Sequence, residues 1–439
     1  MSPHPLLRSI IFAAAITLSL TRAEDKPVSA LKLTALTDHK DAIYKQGDTV
    51  TFEFTLTDNG QPVKEAEIKW TQSKDGVAPL TNGVVKIENG KASVTGKLDE
   101  PSFLQCRVTF QTDAKIPALT AMAGAAIDPL LIKPSLPVPD DFDAFWADQK
   151  KKLAAVPAKA NLTPVTTTAV KDADCFDAQI DCLGAPVSGY FCKPKDAKPK
   201  SLPIILLVHG AGVGDSSLNS AANWCKNGML AMDINAHGIP NGKPAAFYKE
   251  LSDGALKDYR AQGRESRETC YFLGMFLREI RAIDFLCSQP EWDGKNVVVY
   301  GASQGGFQAF AAGALDDRVT FFAAGVPAGC DHTGSVVGRI NGWPKIVPLG
   351  ADGKADPKVQ QASRYFDNVN FAARTKAKGA IVTVGFIDGV CPPSTVYAAY
   401  NALTIPKSIH NDPLTGHTST PAASGAMSKA VLDFVKAGK

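Results

Sequence analysis

At 439 residues the chain exceeds one ordinary small domain, and its 45% hydrophobic and 21% charged content excludes a fibrous or wholly disordered protein. Its 47 basic and 44 acidic side chains nearly cancel, leaving a formal net charge of +3. That balance offers no electrostatic basis for binding nucleic acid or an anionic membrane surface.

The chain opens with a short positive region containing His4 and Arg8, an apolar run over residues 10–20 and small residues ending at Ala23. This is the three-part plan of a secretory signal over residues 1–23, which predicts an exported protein, periplasmic or secreted. The apolar run falls short of the roughly 20 residues that span a bilayer, and no later segment is apolar for long enough, so no stable membrane span is expected.

Residues 24–127 read as a small all-β domain. In Thr49-Val50-Thr51-Phe52-Glu53-Phe54-Thr55-Leu56 the apolar side chains alternate with polar ones, so Val50, Phe52, Phe54 and Leu56 share one face of a strand. Asp58-Asn59-Gly60 follows as a turn, and further strands are predicted at 67–71, 83–87, 92–98 and 103–112. The spacing suits an immunoglobulin-like sandwich. No reactive cluster falls in this stretch, which therefore reads as a packing, spacing or binding module.

Residues 128–139 form a linker containing Pro129, Pro134, Pro137 and Pro139. Asp140-Asp141 followed by Phe142, Phe145 and Trp146 predicts a capped amphipathic helix that begins a second domain over 140–439. Beyond it the pattern becomes βα alternation. Pro203-Ile204-Ile205-Leu206-Leu207-Val208 is apolar throughout, as in a strand buried on both faces of a mostly parallel sheet. Segments 229–234, 296–300, 320–326 and 380–386 are of the same kind, and 271–286 is an amphipathic helix with Phe272, Met275, Phe276, Ile280, Ile283 and Leu286 on one side. The fold class predicted is α/β, a doubly wound and mostly parallel sheet preceded by the small β-sandwich.

Nine cysteines leave at least one thiol unpaired. Cys182 and Cys192 flank a predicted hairpin and are the first candidate pair. The seven histidines are scattered, with no neighbouring Cys/His cluster, so neither a metal nor a cofactor is expected.

Chemistry concentrates at Tyr300-Gly301-Ala302-Ser303-Gln304-Gly305-Gly306, which contains G-x-S-x-G. A serine hydroxyl becomes a useful nucleophile when a sharp strand-to-helix turn holds it beside a base, and only small neighbours permit that turn. Here 296–300 supplies the strand and the alanine- and glycine-rich stretch 304–315 the helix. This pattern predicts the nucleophile elbow of an α/β-hydrolase, with Ser303 as the expected nucleophile. The acid and base should follow in that order on loops after later strands. Asp388 meets the first requirement, after the run 380–386, and His417 the second, in Thr415-Gly416-His417-Thr418. His410 is the rival base, placed within the predicted strand 406–410. The oxyanion donors expected are the backbone N–H groups of Gln304 and of Ala211, the latter in Val208-His209-Gly210-Ala211-Gly212. His209 reads as a loop-packing residue.

From Pro139 onward the chain resembles the acetyl xylan esterase and cephalosporin C deacetylase family, carbohydrate esterase family seven. The resemblance rests on D-D-F-D-A-F-W at 140–146, R-A-I-D-F-L at 281–286, G-A-S-Q-G-G at 301–306 and F-I-D-G-V-C-P-P-S-T-V-Y-A-A-Y-N at 386–401. It implies a secreted serine carboxylesterase that deacetylates xylo-oligosaccharides and related small esters, with Ser303, Asp388 and His417 as triad. It also implies assembly into a homo-oligomer of three or six chains. Three positions depart from the family pattern: Ala211 replaces a tyrosine, Asn235-Ala236-His237 replaces R-G-Q, and Thr418 replaces a glutamate. Two other readings remain at this level. One is a secreted serine peptidase of prolyl-oligopeptidase type, and the other a non-catalytic glycan-binding or scaffold protein.

Overall fold

The computed structural model describes residues 30–77, 79–112 and 117–438. The export signal expected over 1–23 lies outside the described residues. Among them, no helix is long and apolar enough to cross a membrane.

The N-terminal unit is all β. It comprises β1 (Leu31–Thr37), β2 (Ile43–Tyr44), β3 (Val50–Asp58), β4 (Gln61–Pro62), β5 (Glu65–Lys74), β6 (Thr81–Glu88), β7 (Lys91–Gly96), β8 (Ser102–Phe110) and β9 (Leu119–Ile127). Hydrogen bonds link them in the order β1-β3-β7-β6-β5-β8-β9-β2, with β4 on β3, and every pairing but β2/β9 is antiparallel. The period-two pattern of β3 does what it predicts: Val50, Phe52, Phe54 and Leu56 are all buried, in one core with Ile68, Leu104, Val108 and Ile127. β5 runs further than its sequence pattern suggests because it is paired on both sides, to β6 and β8. At the turn after β3, Asn59 and Gly60 both take positive φ (48° and 80°), as a tight hairpin demands.

The C-terminal unit begins with α1 (Phe142–Ala154) and the antiparallel strands β10 (Ala160–Val165), β11 (Ala173–Ile180) and β12 (Val187–Pro194). Then β13 (Leu202–Val208), α2 (Leu218–Cys225), β14 (Leu230–Ile234), α3 (Ala245–Asp253), α4 (Tyr271–Cys287), β15 (Trp292–Ala302) and α5 (Gln304–Leu315) follow. The chain closes with β16 (Phe321–Gly325), α6 (Pro357–Ser363), α7 (Asn368–Ala372), β17 (Gly379–Gly385), α8 (Pro393–Ala402), β18 (Lys407–Asp412) and α9 (Pro421–Ala437). The sheet order is β10-β11-β12-β14-β13-β15-β16-β17-β18, antiparallel as far as the β12/β14 pair and parallel beyond it. Continuous apolar strands make sense here because both faces are covered. Ile204, Leu206, Val297, Val299 and Val382 point into a core with α1, α4 and α5. Their neighbours Ile205, Leu207, Val298 and Ile381 pack against α2 and α9 on the other face.

Two local expectations are corrected. Asp141 sits at the N-cap of α1 but makes no capping hydrogen bond. Its carboxylate is taken instead by Arg267, at 2.6 Å, and by the Tyr365 hydroxyl, because a guanidinium is a stronger partner than a backbone amide. The disulfide joins Cys175 to Cys192, not Cys182 to Cys192. Strand register decides this: Cys175 and Cys192 are directly opposed on β11 and β12, with Cα atoms 4.2 Å apart. Cys182 lies past the end of β11 and turns its thiol to the Leu277 carbonyl.

Candidate active site

Ser303 occupies the one-residue turn between β15 and α5. Its φ of 58° and ψ of −120° lie outside the regions open to most L-residues, a strain of about 1–3 kcal/mol that surrounding contacts must sustain. The contacts are visible. Its N–H donates to the Gly325 carbonyl at 2.8 Å, and its carbonyl accepts from Phe307 N and Ala328 N, both at 3.0 Å. The flanking glycines are there because nothing larger fits. A Cβ on Gly301 would lie 2.6 Å from the Gly305 backbone, and one on Gly305 would lie 2.4 Å from the Val208 carbonyl oxygen. β13, β15 and α5 can thus converge directly beneath the serine.

The loops after β17 and β18 bring Asp388 and His417 to it. His417 Nε2 stands 2.8 Å from Ser303 Oγ, and its Nδ1 stands 2.8 Å from Asp388 Oδ2. Asp388 is only 1% exposed, and its other oxygen accepts from Val390 N (2.7 Å) and Cys391 N (2.8 Å). With both oxygens engaged, the carboxylate is fixed in orientation. It therefore selects the imidazole tautomer whose Nε2 is free to accept from the serine. The histidine loop approaches so closely that a Cβ on Gly385 would fall 2.4 Å from the Thr415 carbonyl oxygen. His410 sits in β18 opposite Thr383, away from this chain of hydrogen bonds.

Gln304 is the first residue of α5, so its N–H has no partner within the helix and lies beside the serine. Gly210 faces Ser303, its Cβ position being 3.9 Å from the Ser303 Cβ, which brings the following Ala211 to the same rim. Loop 209–215, with Asn235 and Ala236, lines a cleft of about 220 Å³. His209 turns its ring to the buried Asp233, which also accepts from Ser217 N at 2.7 Å, so it braces this loop rather than facing the serine.

Three supporting side chains escape a reading of the sequence. His237 Nε2 donates to the Gly212 carbonyl at 2.8 Å, and its Nδ1 accepts from the Tyr271 hydroxyl at 2.6 Å. Burial lowers the His237 pKa and so favours this neutral form. Tyr259 stacks edge-on against His237 and donates to Gln304 Oε1 at 2.6 Å. The two segments that carry Ala211 and Gln304 are thereby tied to one packed group. The only sequence signal was the departure at Asn235-Ala236-His237. A ligand atom from each of Asp388, Cys391 and His417 lies within 4.8 Å of the others. A metal there would displace the His417–Asp388 hydrogen bond, so these residues suit a proton relay better than an ion.

Comparison with known proteins agrees in fold and family. The acetyl xylan esterase (AXE1) family model matches residues 131–434. The acetyl esterase Axe7A of Xylanibacter ruminicola is 30% identical over 426 residues, covering 94% of this chain and 93% of its own, a span that takes in the N-terminal strands. The solved acetyl xylan esterase from Paenibacillus sp. R4 superposes with a TM-score of 0.60 at 29% identity, over 69% of this chain and 97% of its own. Acetyl xylan esterase 1 from Thermoanaerobacterium sp. JW/SL YS485 gives 0.56 at 25%, over 70% and 97%. With an α/β-hydrolase sheet, a strained serine at its strand-to-helix turn and a family match over more than half its length, the chain belongs to the acetyl xylan esterase family.

Proposed function

We propose that Ser303 is the nucleophile of this serine carboxylic ester hydrolase, that His417 is its base and Asp388 the orienting acid, and that it removes acetyl groups from xylan-derived oligosaccharides. His417 takes the Ser303 proton as Oγ attacks the ester carbonyl. The backbone N–H groups of Gln304 and Ala211 meet the oxyanion of the tetrahedral intermediate. Collapse expels the sugar alcohol, protonated by His417, and leaves an acetyl-serine. Water, activated by the same imidazole, then attacks it and releases acetate.

The observation that carries this reading is the unbroken relay Ser303–His417–Asp388, with both links at 2.8 Å and the second oxygen of the acid held by two backbone amides. The acetylated sugar is inferred from the acetyl xylan esterase relatives, which share the fold and family. Alanine at 211, in place of a tyrosine, leaves the rim less crowded, so propionyl and butyryl esters should also turn over. The test is hydrolysis of p-nitrophenyl acetate and acetate release from acetylated xylo-oligosaccharides. Ser303→Ala should lower kcat/KM by about 10⁴-fold or more. Unchanged turnover in that variant would remove the assignment.

Two further readings belong to the same proposal. Export rests on the three-part N-terminus of the sequence. An immunoglobulin-like character for the N-terminal unit is supported by short, mostly antiparallel strands folded around one apolar core.

A further inference from the structure

We propose that the N-terminal β-unit is part of the catalytic apparatus: through Gln105 and Gly124 it fixes the loop that carries Asp388. This rests on the triad assigned above and extends it to positioning residues more than 260 positions away in sequence.

Phe386 is the point of contact. It lies two residues before Asp388, immediately after β17, and its N–H donates to the Asp412 carbonyl at 3.2 Å. Its own carbonyl receives a 2.8 Å hydrogen bond from the Gln105 side-chain amide on β8, a buried donor reaching across the two units. Gly124 on β9, paired to Gln105 in register, presses against the same carbonyl. A Cβ there would lie 2.7 Å from the Phe386 oxygen. The Phe103 ring of β8 packs edge-on against the Phe386 ring at 5.1 Å and tilts over Tyr397 of α8 at 5.6 Å. Beyond Asp388, Ser394 at the start of α8 donates to Asp75, whose own N–H is bonded to the Phe103 carbonyl. The acid loop is thus gripped from the β-unit on both sides of Asp388.

Physical consequence follows from where these contacts fall. Phe103, Ala42 and Ala126 belong to the apolar core of the catalytic unit rather than to that of their own unit. A unit serving only to bind a distant part of a polymer needs no such penetration. A mobile linker would serve it better. A carboxylate that must hold an imidazole within a few tenths of an ångström needs its loop over-determined, and misplacing it by about 1 Å costs up to roughly 100-fold in rate.

The test compares Gln105→Met, which keeps volume and removes the donor, with Gly124→Ala, which pushes on the same carbonyl from the neighbouring strand. Both are made in the full chain. In each, kcat on p-nitrophenyl acetate should fall about 10- to 100-fold with KM within about twofold of wild type.

A second readout does not depend on turnover. The downfield proton resonance of the His417 Nδ1–H, identified by its loss in His417→Ala, should shift or broaden in both variants. Wild-type kcat together with an unshifted resonance would overturn the proposal, as would a loss carried wholly by KM. If instead Ser303→Ala leaves esterase turnover intact, the triad itself is wrong, whereas the resonance still reports whether Gln105 positions the acid.

Discussion

The two halves of the site are built in different ways. Ser303 stands on a turn whose signature lies within seven consecutive residues, where Gly301, Gly305 and Gly306 let two strands and a helix meet. Asp388 and His417 stand on separate loops, 29 residues apart in sequence. Local bonds shape each loop, Val390 N and Cys391 N to Asp388 and Thr415 N to the Asp412 carbonyl, but groups remote in sequence also fasten them, including a side chain from β8. One half is stiff because the backbone there has no room to move, the other because distant groups are fastened to it. The difference teaches that a locally encoded serine turn tells little about what holds its neighbours in place.

The loop half can be broken most sharply. His417→Ala should lower kcat/KM on p-nitrophenyl acetate by about 10⁴-fold or more, whereas His410→Ala should stay within about threefold of wild type. Steady-state kinetics on the two variants checks this, and the reverse ranking would assign the base to the wrong loop.

The turn half should fail through stability rather than chemistry. Gly305→Ala places a methyl 2.4 Å from the Val208 carbonyl, a backbone atom that cannot swing away. A loss of about 2–3 kcal/mol in urea unfolding is expected. Activity should fall with it, since α5 can relieve the clash only by moving away from β13 and carrying Ser303 along.

Acid should act first on the packing behind the turn. His332 is buried against the Phe366 carbonyl and the Phe307 ring of α5, and burial pushes its pKa down from 6.5 to about 4. The folded protein keeps it neutral while the unfolded chain takes up a proton below pH 6.5. Stability is therefore complete above about pH 6.5 and is lost as pH falls towards 4, up to about 3 kcal/mol. Thermal unfolding across that window in wild type and His332→Gln checks the slope, which should be shallower in the variant.

Much of this architecture is legible in the sequence. The strand at β3 and the helix at α4 follow from periodicity, since burial of one face leaves a residue-by-residue record. Ser303, Asp388 and His417, which the fold brings within hydrogen-bond distance, could be picked as a set because the strand-turn-helix is contiguous and each later candidate follows a recognisable apolar run. The disulfide could not, because Cys175, Cys182 and Cys192 all flank one hairpin and only the β11/β12 register selects a pair. The cap on α1 does not form because Arg267 and Tyr365, more than 120 residues away, compete for Asp141.

What the sequence determined by itself is therefore the strongly periodic or wholly apolar elements and the tight turn at Ser303, both governed by forces between near neighbours: steric room at glycines and the burial of apolar side chains. What only the tertiary structure decided is the support behind them. His237 reaches the Gly212 carbonyl, Tyr259 reaches Gln304 across 45 positions, and Gln105 reaches Phe386 across 281. A hydrogen bond between remote residues leaves no periodic trace, because each partner is an ordinary polar residue until the fold brings the other within 3 Å.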